Sequence, residues 1–266
     1  MNYQLHRGSA PLLVSIPHMG TVIPEALRGD FTARALDVED TDWHLDRLYA
    51  FARELGASVL QPTVSRYVVD LNRPPDDTPM YPGASNTELC PTRFFTGDPL
   101  YREGFALAAD EKARRRATWW QPYHQALQEE LGRLKAQHGH VLLWDAHSIR
   151  SEIPWLFEGV LPDLNIGTNA GASAAPSITE AVSAAAAREP RYTRAVNGRF
   201  KGGYITRHYG RPAEDVHAVQ LEMTQKSYMR EAPPYDYLPD RAAQVQPVLR
   251  SMVEAALQAA RALYGR

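Results

Sequence analysis

Three short apolar runs constrain this chain more than any other feature, because each delivers a polar side chain at or near its far end. Residues 11–18 read Pro-Leu-Leu-Val-Ser-Ile-Pro-His, residues 141–148 read Val-Leu-Leu-Trp-Asp-Ala-His-Ser, and residues 216–222 read Val-His-Ala-Val-Gln-Leu-Glu. Runs this short and this apolar fit strands buried on both faces, which a sheet covered by helices provides. In open α/β sheets, ligands bind just outside the carboxyl ends of the strands. His18, His147 and Glu222 are therefore placed for a metal-dependent hydrolase site.

The segments between these runs punctuate the fold. From residue 41, Leu45, Leu48, Tyr49, Ala52 and Leu55 follow helical spacing, with Thr41 or Asp42 able to cap the start and Gly56 fitting the stop. Residues 57–61 and 66–71 read as strands. Residues 72–104 carry turn-like clusters such as Arg-Pro-Pro-Asp-Asp and Tyr-Pro-Gly. A loop of that length inside a compact domain is usually functional, and its Tyr, Phe and Leu content argues against disorder. Residues 105–139 are strongly helical, and Pro122 starts a second helix there with Leu127, Leu131 and Leu134 facing inward. Residues 163–174 read as a loop, the alanine-rich residues 176–188 as a surface helix, and 198–210 as a glycine-spaced basic segment with Lys201, Arg207 and His208. Residues 240–264 form a long amphipathic helix for which Asp240 is an N-cap candidate. With neither repeat nor linker, residues 1–266 read as one domain with an α/β layered fold.

Bulk properties exclude several functions. The 266 residues carry a formal net charge of −2, so no basic footprint points to nucleic acid. No apolar stretch approaches the roughly 18 residues of a membrane span. The N-terminal Met-Asn-Tyr-Gln-Leu-His-Arg lacks the apolar stretch of a secretory leader. The single cysteine, Cys90, excludes an internal disulfide and a multi-cysteine zinc cluster. A cytoplasmic location is the expectation.

Each candidate site residue also has a plainer reading. His18 and His147 can be structural histidines; as ligands they can hold a metal, with Asp145 orienting an imidazole from the same strand face. Catalytic zinc usually takes three protein ligands. The third can be Asp42 or Asp40, both also suited to capping, with His44 in competition; Asp42, against the helix start, is preferred. Glu222 is either a solvated strand end or a general base beside the metal. Arg66, Asn72 and Arg73 bracket one apolar segment and suit an acidic substrate, although surface ion pairing is the commoner fate of an arginine. Arg207 and His208 are further candidates of that kind; Cys90 could be a nucleophile, but no paired signature supports it.

At these residues the chain resembles the N-formylglutamate amidohydrolase family. The matching stretches are Ser-Ile-Pro-His-Met-Gly, Asp-Thr-Asp-Trp-His-Leu-Asp-Arg-Leu-Tyr, Ser-Arg-Tyr-Val-Val-Asp-Leu-Asn-Arg-Pro-Pro, Leu-Cys-Pro-Thr, Trp-Asp-Ala-His-Ser-Ile-Arg and Asn-Gly-Arg-Phe-Lys-Gly-Gly-Tyr-Ile-Thr-Arg-His-Tyr-Gly, spread over about residues 11–225. The resemblance implies hydrolysis of N-formyl-L-glutamate to formate and L-glutamate, the last step of one histidine-degradation route. It also implies kinship with zinc carboxypeptidases, hence a three-layer α/β/α fold with a central mixed sheet. Those peptidases use a His-x-x-Glu pair, whereas the residue three past His18 is Thr21. The implied site then has Zn2+ on His18, Asp42 and His147, with Glu222 as base. Arg66 faces the oxyanion, and Asn72, Arg73, Arg207 and His208 face the substrate. Imidazole and carboxylate ligands suit other divalent metals as well. The rival readings are a zinc carboxypeptidase or another N-acyl amino-acid deacylase, and a metal-free binder of acidic metabolites.

Overall fold

A computed structural model describes residues 2–80 and 86–265. Its strands are β1 (Tyr3–His6), β2 (Leu12–Ser15), β3 (Ser58–Pro62), β4 (Val141–Ile149), β5 (Leu164–Gly167), β6 (Arg194–Val196) and β7 (Val216–Thr224). They form one sheet in the order β1-β3-β2-β4-β7-β5-β6. The three apolar runs of the sequence supply its middle, β2, β4 and β7, and these pair in parallel. The outer pairs β1 with β3 and β5 with β7 are antiparallel, so the sheet is mixed, as the α/β expectation required.

Alternation along the central strands divides the core in two. Leu12, Val14, Leu142, Trp144, Ala146, Val219 and Leu221 point to one side of the sheet. Leu13, Val141, Leu143 and Ala218 point to the other. The chain covers both sides with the helices α1 (Glu25–Arg28), α2 (Leu45–Leu48), α3 (Phe51–Glu54), α4 (Ala109–Arg115), α5 (Gln121–His138), α6 (Pro176–Ala187), α7 (Tyr204–Tyr209) and α8 (Pro239–Leu263). On the first side α6 brings Ile178 and Val182, and α8 brings Val245, Leu249, Met252, Val253 and Ala256, spaced to fill one helical stripe. On the second side α5 brings Leu127, Leu131 and Leu134, the residues expected to face inward. Each such leucine or valine taken fully out of water contributes about 1.5–3 kcal/mol before entropy is counted. Asp240 lies within the first turn of α8 and makes no cap bond.

Several local expectations fail. Residues 66–71 are a turn, not a strand. Ser65 accepts the Tyr67 amide on its hydroxyl and the Val68 amide on its carbonyl, and the buried Arg66–Asp70 ion pair closes the turn. The helix expected from residue 41 is two four-residue helices, α2 and α3, broken between Leu48 and Phe51. The presumed loop at 163–174 contains the fully buried β5, whose register with β7 was invisible to local pattern. The long segment 72–104 is irregular throughout its described part, and its Tyr-Pro-Gly cluster at 81–83 lies outside the described residues. Cys90, within this segment, is buried; burial pushes its thiol up to about 11 against the opposing Arg115 and Lys112, so it is no nucleophile at neutral pH. No helix among the described residues is long and apolar enough to cross a membrane.

Candidate active site

The site starts from strand register. In the parallel pair β4–β7, His147 faces Glu222 and Asp145 faces Gln220. The alternation that sends Val141, Leu143 and Ala218 into one core layer sends these four polar residues to that same side, at the carboxyl ends of their strands. His18 follows three residues after β2. Its carbonyl accepts the Asp42 amide at 3.0 Å, which brings a distant segment against the end of β2.

Asp42 does not cap a helix. The cap position of α2 is His44, held at φ 61°, and no side chain bonds there. Instead Asp42 Oδ2 lies 3.1 Å from Nδ1 of His147 and 3.8 Å from Nδ1 of His18, and it accepts the Ser148 amide at 3.2 Å. One donor atom from each of His18, Asp42 and His147 fits within 4.8 Å of the others, and all three side chains are buried. Two imidazole nitrogens and a carboxylate oxygen are a donor set used by catalytic divalent metals.

The far nitrogens of both imidazoles are already occupied. His18 Nε2 lies 2.7 Å from Asp70 Oδ1. His147 Nε2 lies 2.9 Å from Asn72 Nδ2 and 3.2 Å from Asp145 Oδ1. Such partners fix ring orientation and leave each Nδ1 to face the shared space. Burial, with Arg66 next, lowers the His18 imidazole below its ordinary value, so it stands neutral with its lone pair available. Burial opposes protonation of His147, but Asp145, Asp42 and Glu222 outweigh it and raise that imidazole well above its ordinary value. The surplus of carboxylates around these rings is what a divalent cation would neutralise, so the residues present fit one.

Glu222 is pushed up to about 8, chiefly by burial; His147 opposes the shift and Asp42 adds to it. A carboxylate made that basic is suited to accept a proton from water near neutral pH. Arg66 donates from Nη2 to Asp70 Oδ2 at 2.8 Å, sits 3.7 Å from Asp42 through Nη1, and stacks over Phe95. Arg73 donates from Nε to the Thr87 carbonyl, from Nη1 to the Asn72 carbonyl and from Nη2 to the Thr87 hydroxyl. One N–H on each of its terminal nitrogens remains outside these bonds, a fork of the kind that grips carboxylates. His18, Arg66, Asn72, Arg73, His147 and Glu222 all line one cavity of about 640 Å³, counting its open mouth.

The remaining candidates go elsewhere. Asp40 accepts the Tyr67 hydroxyl, the Phe95 amide and Arg150, away from the cluster. His44 Nε2 pairs with the Tyr235 carbonyl at 2.8 Å. Arg207 donates to the Gly202 and Met80 carbonyls, and His208 stacks on Tyr204; both line a separate shallow cavity with Pro74, Thr78 and Pro79. Asn72 lines the main cavity, but both ends of its carboxamide are engaged: Oδ1 accepts the Ile205 amide while Nδ2 meets His147. Two residues passed over in the sequence take part. Asp70, an acid four positions after Arg66 amid Val68, Val69 and Leu71, was the signal of a buried ion pair. Arg199 lines the cavity from the segment after β6 and had no signal beyond its basic, glycine-rich surroundings.

Comparison with known proteins gives the chain's relatives. The sequence profile of the N-formylglutamate amidohydrolase family matches residues 10–229. An N-formylglutamate deformylase of Pseudomonas aeruginosa is 52% identical over 258 residues, which span 97% of each chain. One of Pseudomonas putida is 50% identical over 252 residues, covering 95% of this chain and 94% of its own. A crystal structure of an N-formylglutamate amidohydrolase from Ralstonia eutropha superposes with a TM-score of 0.81 at 26% identity, over 98% of this chain and 97% of that one. The matched profile runs from β2 through β7, and with relatives at half identity over nearly the full length the chain belongs to the N-formylglutamate amidohydrolase family.

Proposed function

We propose that this protein hydrolyses N-formyl-L-glutamate to formate and L-glutamate, with a zinc ion held by His18, Asp42 and His147. The observation that carries the reading is the His147–Glu222 register pair, which sets a basic carboxylate directly beside the three-donor cluster. The relatives named above are deformylases of that substrate. When bound, the cation supplies Lewis acidity and lowers the pKa of a nearby water.

Glu222 accepts the proton of the attacking water and returns it to the amine as the formyl C–N bond breaks, so formate and a free amino group result. The Arg66 guanidinium, held by Asp70, donates to the oxygen that gains charge in the tetrahedral state. Arg73, beside Asn72, holds the carboxylate next to the scissile amide through its remaining N–H fork. A formyl group offers few contacts of its own, so binding energy from the carboxylates aligns it. A cytoplasmic location goes with this reading, since the one thiol is buried and no pairing is needed.

Metal analysis of the purified protein combined with formate release from N-formyl-L-glutamate tests the whole. The expected result is one zinc per chain, turnover abolished by a chelator and restored by metal, and loss of bound metal in His18→Ala and His147→Ala. Tight glutamate binding with neither metal nor turnover would establish the binding-protein reading instead.

A further inference from the structure

Asp42 reaches the donor cluster from irregular backbone. His147 stands within β4, whereas residues 41–44 belong to neither helix nor strand. Side chains carried on loops are placed less precisely than those on strands, so such a ligand needs its backbone held by other means.

The peptide units on both sides of Asp42 are held from one place. Gln225 Nε2 donates to the Thr41 carbonyl at 3.0 Å. Tyr228 Oη lies 2.8 Å from the Trp43 carbonyl and 2.7 Å from Ser148 Oγ. A carbonyl only accepts, so the phenol proton goes to Trp43 and the Ser148 hydroxyl donates to the phenol oxygen. The Ser148 amide in turn donates to Asp42 Oδ2 at 3.2 Å. Main chain and carboxylate of Asp42 are thus tied into one set of bonds, and Thr41, Ser148, Gln225 and Tyr228 are all buried. Away from water such bonds are strong, and deleting a donor leaves a carbonyl unsatisfied.

This clamp grows out of the strand that carries the base. β7 ends at Thr224, the turn Gln225–Ser227 follows, and Glu222 lies three residues before Gln225. Tyr228 is itself fixed. Its amide donates to the Gln225 carbonyl at 3.0 Å, its carbonyl accepts the Leu238 amide at 2.9 Å, and its ring packs in the core layer that α8 lines. One short stretch of chain therefore sets the position of Asp42 relative to Glu222.

We propose that Gln225 and Tyr228 are positioning residues that hold Asp42 in place as a metal ligand. Neither reaches the cluster itself; both act through the carbonyls that flank Asp42, and Tyr228 acts also through Ser148. This role rests on the metal-dependent deformylase reading above.

The test measures zinc affinity by chelator competition, and the visible absorption of the Co2+-loaded protein, in the wild type, Tyr228→Phe, Gln225→Met and Tyr101→Phe. Tyr228→Phe and Gln225→Met keep the size of the side chain and lose the donor. Each is expected to weaken zinc binding roughly 10- to 100-fold, the usual cost of removing an outer partner of a ligand, and to alter the Co2+ spectrum. Tyr101→Phe deletes a buried hydroxyl that Arg115 bonds at 2.8 Å, so it reports what lost stability alone does, and it should leave affinity and spectrum unchanged. Should Tyr228→Phe fail to fold, Gln225→Met carries the same comparison. Wild-type affinity and spectrum in the clamp variants, or an equal loss in Tyr101→Phe, overturn the clamp and leave the metal site standing. A wild type that binds neither zinc nor Co2+ overturns both.

Discussion

Asp70 Oδ1 lies 2.7 Å from Nε2 of His18, and its second oxygen holds Arg66 at 2.8 Å, so one buried carboxylate orients a candidate ligand and a candidate oxyanion donor together. Burial alone would raise this carboxyl, but His18, Arg73 and Arg66 hold it well below the usual carboxylate range. It also accepts the Asn72 amide at 2.8 Å, which fixes the turn leading to Arg73.

Asp70→Asn keeps the volume and removes the charge. It should weaken metal binding about 10- to 100-fold, as loss of a histidine's outer partner does elsewhere. Turnover at saturating metal should also fall, because Arg66 loses its main anion. Chelator competition and kcat at high metal measure the two effects separately; unchanged affinity would remove Asp70 from the site's support.

Glu222→Gln should retain metal and lose about 10²- to 10⁴-fold in kcat, since the amide cannot take the water's proton. The wild-type rate should rise with pH as this carboxyl, pushed up by burial, gives up its proton. That acid limb should vanish from the residual activity of the variant. A variant with near-normal turnover would exclude Glu222 as the base.

Gly203→Ala should damage the site without any backbone strain, for the φ of Gly203 is −84°, open to every residue. A Cβ there would overlap the Asn72 carboxamide, which is clamped between the Ile205 amide and His147. The expected cost is about 1–3 kcal/mol of stability together with a fall in kcat. Gly132→Ala is the contrast: nothing lies within 4 Å of the added methyl on α5, and helix propensity predicts a gain of about 0.5–1 kcal/mol. Thermal melts of both variants check the pair.

His124 gives a stability signature in acid. Its Nε2–H donates to the Leu71 carbonyl at 2.8 Å and its Nδ1 accepts from the Tyr209 hydroxyl at 2.9 Å, with Trp120 stacked on the ring. Burial lowers its pKa to about 3, with the Leu71 bond opposing. Between the unfolded value near ~6.5 and about 3, the unfolded chain binds a proton that the folded chain refuses. Its stabilising contribution is therefore whole above ~6.5 and lost as pH falls toward 3. Urea titrations of His124→Gln should show a slope of stability against pH shallower by up to about 1.4 kcal/mol per unit across that window. An identical slope would mean that His124 titrates normally.

Much of this protein is determined by local sequence. Buried central strands need uninterrupted apolar residues, so 11–18, 141–148 and 216–222 could be read as the sheet's middle, and the polar residues ending them as site candidates. The stripes of α5 and α8 were equally legible, because a helix must repeat its apolar face every three or four residues. Tertiary structure decided the rest. Whether Asp40, Asp42 or His44 joins the histidines depends on a bond between the Asp42 amide and the His18 carbonyl, which no local pattern encodes. The turn at 66–71 has strand-like composition, and besides its local bonds to Ser65 it is held by the long-range bonds of Asp70 to His18 and Leu89, which no local pattern shows. Arg199, Arg207 and His208 share one basic, glycine-spaced segment, and composition cannot separate them. The chain places Arg199 before Gly203 is drawn onto Gln220, and then winds into α7, which turns Arg207 and His208 toward a different surface. A helix fixes the direction of the side chains it carries, so α7 commits Arg207 and His208 away from the cavity that Arg199 lines from the segment before it.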